Sequence, residues 1–293
     1  MAALAEADIP VILLKGADLA QTLYPNPALR PMGDLDLLVH KEDLDRAVDL
    51  AFQMGYQEAV DSDPGVNRQF GHHIHLRNEK HVILELHWGL VGGEYDQRSP
   101  PMAWVWSQVH QPEFQELDKR QFQMLDAPAH ILFICAHMAL QHGLSEARLI
   151  WFYDVYLLLQ SYGDRMIWNK LLSGARQSGW GASLDAMLSA VVSNFEYPVP
   201  QDFISKLRRT PSNDEKLVQR EIDVTRTMHG LHVFSALEAS HKAKYLFVRL
   251  FPSPTHMRNH YHPKPSWIWP LYYPYRWWDM AVDLLRTILR KNN

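Results

Sequence analysis

Two aspartates two residues apart, Asp34 and Asp36, open the otherwise apolar run Asp34-Leu35-Asp36-Leu37-Leu38-Val39. Side chains alternate across a strand, so both carboxylates face one side while Leu35 and Leu37 face a core. Like charges held this close repel unless a cation lies between them, and oxygen ligands of this type suit Mg2+ or Mn2+. An ion held there can clamp nucleotide phosphates, which makes phosphoryl or nucleotidyl transfer the leading chemistry. Asp at the start of a strand also serves as a turn or cap residue, and the pair alone does not separate the two readings.

Glu85 adds weight to the first. It lies within Ile83-Leu84-Glu85-Leu86-His87-Trp88, where alternation puts Ile83, Glu85 and His87 on one face and Val82, Leu84 and Leu86 on the other. A third carboxylate on a neighbouring strand, facing the same side as the pair, is what a two-ion site needs to hold both ions and help deprotonate an acceptor hydroxyl. The structural alternative is a solvent-facing position in a half-wet antiparallel sheet. Gly16, after an apolar run, would let a phosphate approach the backbone, with the next helix offering its N-terminal N–H groups. A triphosphate also needs positive charge, which Lys15 or Arg30 can supply. Lys15 could equally be a strand-end lysine reaching water, and Arg30 could pair with one of the acids.

These residues need a scaffold to place them. Ile9 to Lys15 reads as a buried strand, Asp18 to Tyr24 as a helix ended by Pro25-Asn26-Pro27, and Leu35 to Val39 as the next strand. Asp43 is positioned to cap a helix over Leu44 to Met54, stopped by Gly55. Asp61 to Asn67 reads as a turn-rich loop, and His72 to Arg77 and His81 to Trp88 as a hairpin through Asn78-Glu79-Lys80. From Pro128 helices dominate: Ala129 to Gln141, Glu146 to Ser161, then shorter amphipathic pieces to Phe195. The expected fold class is α+β, a small mixed sheet flanked by helices and followed by a mostly α-helical domain. Gly92-Gly93 and Pro100-Pro101 mark the change, giving an α/β domain over 1–110 and a helical domain with an aromatic-rich tail over 111–293. Met1 to Asp8 reads as the end of a helix feeding a strand, so further sequence is expected upstream.

Composition narrows the field. The 293 residues suffice for a real core, and a net charge of −4 argues against a general nucleic-acid binder. Cys135 is the single cysteine, set in an apolar helical run; it reads as a buried structural thiol, and a cytoplasmic protein is expected. No apolar stretch approaches the roughly 20 residues needed to span a bilayer.

His72, His73, His75, His81 and His87 crowd the hairpin, and imidazoles beside carboxylates can hold zinc or iron. A metallohydrolase is the rival reading. No His-x-x-x-His or carboxylate-histidine helix spacing accompanies them, so these residues read as polar strand-face positions, with His73, His75 and His87 candidates to line a cleft. His137, His142 and Asp154 are the cleft candidates from the helices, where His130 and His137 share one face and Trp151 and Asp154 another. Ser266 to Trp278 is dense in Trp and Tyr, and Arg286, Arg290 and Lys291 follow. Its prolines favour an extended segment wrapped over the body, with peripheral membrane contact as the alternative.

Leu13-Leu14-Lys15-Gly16, Leu23-Tyr24-Pro25, Arg30-Pro31-Met32, the Asp34 to Val39 run, Gly55-Tyr56 and Glu85-Leu86-His87-Trp88 occur in that order. In this order they resemble the uncharacterised nucleotidyltransferase family of the DNA polymerase beta-like superfamily. His137, His142-Gly143, Leu149-x-Trp151 and Asp154 extend the likeness into the helices. The resemblance implies a small mixed sheet carrying a Mg-dependent nucleotide site, with Asp34, Asp36 and Glu85 as catalytic metal ligands. Lys15, Gly16, Arg30 and Gly33 are expected on the nucleotide, ATP or another NTP. NMP would pass to a hydroxyl of an unidentified small-molecule, peptide or protein acceptor, releasing pyrophosphate. Kinase-like transfer at the same site, or a silent nucleotide- or partner-binding module, are the alternatives. Lys15-Gly16-Ala17 departs from the Gly-Ser or Gly-Gly usual in the superfamily, which removes the serine contact to phosphate.

Overall fold

The computed structural model describes residues 1–59, 64–110, 122–144, 147–163, 165–218 and 226–290. Seven strands among them are β1 (Ile12–Leu13), β2 (Asp34–Leu38), β3 (Tyr56–Glu58), β4 (His73–Asn78), β5 (Ile83–His87), β6 (Val109–His110) and β7 (Gln123–Leu125). They form one mixed sheet in the order β3-β4-β5-β2-β1-β7-β6. The central pair, β2 and β5, is parallel, whereas β4 runs antiparallel to β5 and β1 antiparallel to β2. The helices that matter for the site are α1 (Ala2–Glu6), α2 (Lys15–Thr22), α3 (Leu44–Gln53), α4 (Pro64–Phe70), α5 (Met102–Ser107), α6 (Ala127–His137), α7 (Leu149–Tyr162), α8 (Arg165–Ser178) and α9 (Gly181–Phe195).

Strand alternation sorts the apolar residues into two layers. Leu37, Val39, Leu84 and Leu86 meet the stripe Leu44, Ala47, Val48 and Ala51 of α3 on one face. Ile12, Leu14 and Leu38 meet α6 and the helices around it on the other. Helix α6 is apolar on all sides because it is enclosed, packed against α7, α8 and α9, and every residue from Pro128 to Ala136 is buried. Its start is well specified: the Asp126 side chain accepts from the Ala129 N–H, and Pro128 occupies the first turn, where no N–H is needed. None of the described helices is long and apolar enough to cross a membrane.

Several elements differ from the sequence expectation. Only Ile12 and Leu13 of the Ile9 to Lys15 run join the sheet, because Lys15 turns left-handed (φ 48°) and opens α2. Asp43 holds the N-cap position of α3, but its side chain makes no cap hydrogen bond; it ends a short 3-10 turn and accepts from Arg46 Nη1 at 2.8 Å. Within Asp61 to Asn67, the chain becomes helical at Pro64, and residues 61–63 lie outside the described residues. The proline-rich tail is not extended. Ser266–Leu271 is a 3-10 turn and Tyr272–Arg290 a 19-residue helix, whose Pro274 falls in the first turn and breaks no hydrogen bond. Glu146 and Lys291 lie outside the described residues. A division after residue 110 would leave β7 across the boundary from the sheet it completes.

Candidate active site

The acid cluster follows from two registers. Along the parallel pair, Asp34 is opposite Ile83, Asp36 opposite Glu85 and Leu38 opposite His87. Along the antiparallel pair, His75 is opposite Glu85 and His73 opposite His87. Three strands therefore present Asp36, Glu85 and His75 as one row, on the face toward α6, with His87 and His73 in the next. Asp34 extends the first strand outward to solvent.

The charges in this row are tightly coupled. Lys15 Nζ lies 2.8 Å from Asp36 Oδ1 and 3.8 Å from Glu85 Oε2. His87 Nε2 lies 3.0 Å from Asp36 Oδ1 and 3.2 Å from Glu85 Oε2, and His75 Nε2 2.9 Å from Glu85 Oε1. Burial alone would raise the Glu85 carboxyl, but hydrogen bonds from His75 and His87 overcome it and hold Glu85 well below the usual range. Burial opposes a charged His87; Asp36 and Glu85 outweigh it and raise the ring above its ordinary value. Asp34 is pushed up by withdrawal from water and then by the carboxylates of Asp36 and Glu85. His73 is driven well below the ordinary value, first by burial and then by His87.

Asp36, Glu85 and His87 bring ligand atoms within 4.8 Å of one another. Carboxylate oxygens converging beside an ammonium fit a hard divalent cation, since Lys15 Nζ already stands where positive charge is favoured. Asp36 and Glu85 are the carboxylates that converge there, while Asp34 lies at the exposed end of β2.

A cavity of about 460 Å³ opens in front of the pair. Lys15, Gly16, Arg30, Gly33, Asp34 and Asp36 line its sheet side, and His137, His142, Trp151 and Asp154 its helical side. Glu85, His73, His75 and His87 lie beyond this lining, on the neighbouring strands β5 and β4. Arg30 is engaged: Nη2 donates to Asp154 Oδ2 at 2.7 Å and Nη1 to the Pro31 carbonyl at 3.2 Å. The space that the missing side chain of Gly16 leaves is occupied by this guanidinium, since a Cβ there would come within 2.3 Å of Arg30 Nη1. Gly33 faces open space. Helix α6 ends in a π-helical turn over Met138–His142, which swings His142 Nε2 to 3.1 Å from His137 Nε2 and its ring to 4.8 Å from Trp151.

Two features escape the sequence reading. Arg148 places its guanidinium 5.7 Å over the Trp151 ring at the cavity wall, although nothing in its sequence spacing ties it to the acids. Tyr24 donates to Asp154 Oδ1 at 2.7 Å, which makes Asp154 a buried anchor for two residues of the N-terminal segment.

A mixed sheet flanked by helices, with an Asp-x-Asp strand beside a strand bearing a third acid, is a nucleotidyltransferase fold. The chain belongs to the uncharacterised nucleotidyltransferase family, whose sequence model matches residues 1–196, and so is an enzyme of the nucleotidyltransferase class. No curated protein matches it. Among solved structures, the antibiotic-resistance factor ANT(2'')-Ia in solution is similar with a TM-score of 0.40 and 14% identity, covering 59% of this chain and 85% of that one.

Proposed function

We propose that the protein transfers NMP from an NTP to a hydroxyl of a small-molecule, peptide or protein acceptor and releases pyrophosphate. The observation that carries this reading is the direct pairing of Asp36 with Glu85 on parallel strands, with Asp34 on the same face at the edge of a cavity. Asp34, Asp36 and Glu85 would hold Mg2+ or Mn2+, which when bound neutralises phosphate charge and lowers the pKa of the acceptor hydroxyl. The chain's own residues do the rest. Lys15 exchanges its contact with Asp36 for a phosphate oxygen, and Gly33 leaves room for the nucleotide. Arg30, fixed by Asp154, adds positive potential behind Gly16. His137, His142 and Asp154 wall the acceptor side. The acceptor oxygen bonds to the α-phosphorus as the bond to the pyrophosphate oxygen breaks, and the hydroxyl proton passes to a carboxylate of the trio.

Isothermal titration with Mg2+ and each NTP tests the reading. Wild type is expected to bind, and the Asp34→Ala/Asp36→Ala variant to lose binding and transfer. Losing several kcal/mol of charge stabilisation corresponds to a rate loss on the order of a thousand-fold. Binding unchanged in the variant, or ADP formed in place of pyrophosphate, would overturn it.

A further inference from the structure

The histidines beside Glu85 do more than fill a strand face. His73 Nε2 and His75 Nε2 face each other at 2.7 Å, and His75 Nε2 also lies 2.9 Å from Glu85 Oε1. Two ring nitrogens at this distance leave room for one proton between them, and with the Glu85 oxygen three electron pairs converge on it. A divalent cation satisfies all three with a bond to each. The ligand atoms of His73, His75 and Glu85 lie within 4.8 Å of one another. Around tetrahedral zinc, ligand atoms stand about 3.3 Å apart, so the His73–His75 and His75–Glu85 pairs need to open by roughly half an ångström around the ion.

The neighbouring histidines are committed elsewhere. Gln141 Nε2 donates to His72 Nε2 at 2.6 Å, and His87 Nε2 is held between Asp36 and Glu85. Ligand type separates the two sides of Glu85. Mixed imidazole and carboxylate donors suit zinc, whereas an all-carboxylate set suits magnesium. The two oxygens of Glu85 are turned apart accordingly, Oε1 toward His75 and Oε2 toward His87 and Lys15. With its side chain 42% exposed, His75 leaves a way in for the ion and a place for a water ligand.

We propose that His73, His75 and Glu85 Oε1 form a Zn2+ site adjoining the acid pair and sharing Glu85 with it. The site stands on the histidine geometry; its consequence, an ion that orients Glu85 for the acid pair, rests on the proposed reaction.

Co2+ is the probe, because it substitutes for Zn2+ and reports low-coordinate nitrogen and oxygen ligation by visible d–d absorption. Metal-free full-length protein titrated with Co2+ is expected to develop this absorption, to lose it on addition of Zn2+, and to keep it in excess Mg2+. Asp34→Asn retains the signal, and His75→Gln weakens Co2+ binding by more than about tenfold. His73→Gln does the same, with circular dichroism confirming its fold; if it fails to fold, His75→Gln decides alone, its position being half exposed. Absent absorption, absorption that survives His75→Gln, or displacement by Mg2+ overturns the proposal. Nucleotidyl transfer assayed on the same samples separates the two readings. Transfer without the cobalt signal refutes the zinc site alone, and the signal without transfer refutes the reaction alone.

Discussion

Arg30 Nη2 stands 2.7 Å from Asp154 Oδ2, so the segment that leads into the acid strand is bolted to α7 by an ion pair whose side chains are 7% and 1% exposed. Charges taken this far from water are tolerated when paired, and removing one strands the other. Asp154→Ala is expected to lower unfolding free energy by about 3–5 kcal/mol in urea denaturation. Asp154→Asn keeps a neutral acceptor for Arg30 and Tyr24 and loses less. If Asp154→Ala changed stability no more than an ordinary surface substitution, within roughly 0.5 kcal/mol, the pair would not be the anchor described.

Tyr24 makes the same anchor sensitive to alkali. Burial, then the hydrogen bond and charge of Asp154, push its phenol above the ordinary value. The folded protein therefore keeps a proton that the unfolded chain releases as pH rises through the ordinary phenol range. Folding stability contributed by Tyr24 is complete below that range and falls through it. A Tyr24→Phe variant should show a shallower loss of melting temperature between neutral and alkaline pH. Parallel curves would place the titrating group elsewhere.

Lys15 is the built-in counter-charge of the acid row. Lys15→Met leaves Asp36 and Glu85 facing each other with one cation fewer, at a loss of about 1.5–3 kcal/mol, the worth of a hydrogen bond to a charged group. Thermal unfolding without divalent ions should drop accordingly. Added Mg2+ should restore more in the variant than in wild type, because in wild type the ion must displace the ammonium. An equal Mg2+ response in both proteins would argue that Lys15 and the ion do not compete.

Cys135 is expected to be inert. It is fully buried in α6, and burial pushes its thiol up, away from the reactive thiolate. A thiol-directed alkylating reagent at neutral pH should leave folded protein unlabelled and label it stoichiometrically in denaturant. Rapid labelling of the folded form would contradict the enclosed position of α6.

Local rules were legible along the chain. Period-two alternation puts Asp34 with Asp36 and Glu85 with His87, because successive side chains on any strand point to opposite faces. The hairpin of β4 and β5, the stripe of α3 and the apolar α6 were readable for the same reason: each depends on neighbours a few residues away. The tail departs from the expectation of an extended segment because a first-turn proline needs no donor and so does not bar a helix.

Tertiary structure decided the rest. No spacing rule announces that β2 lies parallel and next to β5, and this pairing, which sets Asp36 opposite Glu85 and brings His87, 51 residues on, to 3.0 Å from Asp36, turns two motifs into one site. Nor does the sequence reveal that Arg30 is taken by Asp154 124 residues on, that Lys15 turns left-handed to reach Asp36, or that Gly16 is kept small by a guanidinium. Sequence by itself determined which residues share a face, since that is set by backbone geometry within one element. Which faces meet, and which charges neutralise one another there, is set by packing between elements, where many pairings satisfy the same local pattern and only the assembled core selects one.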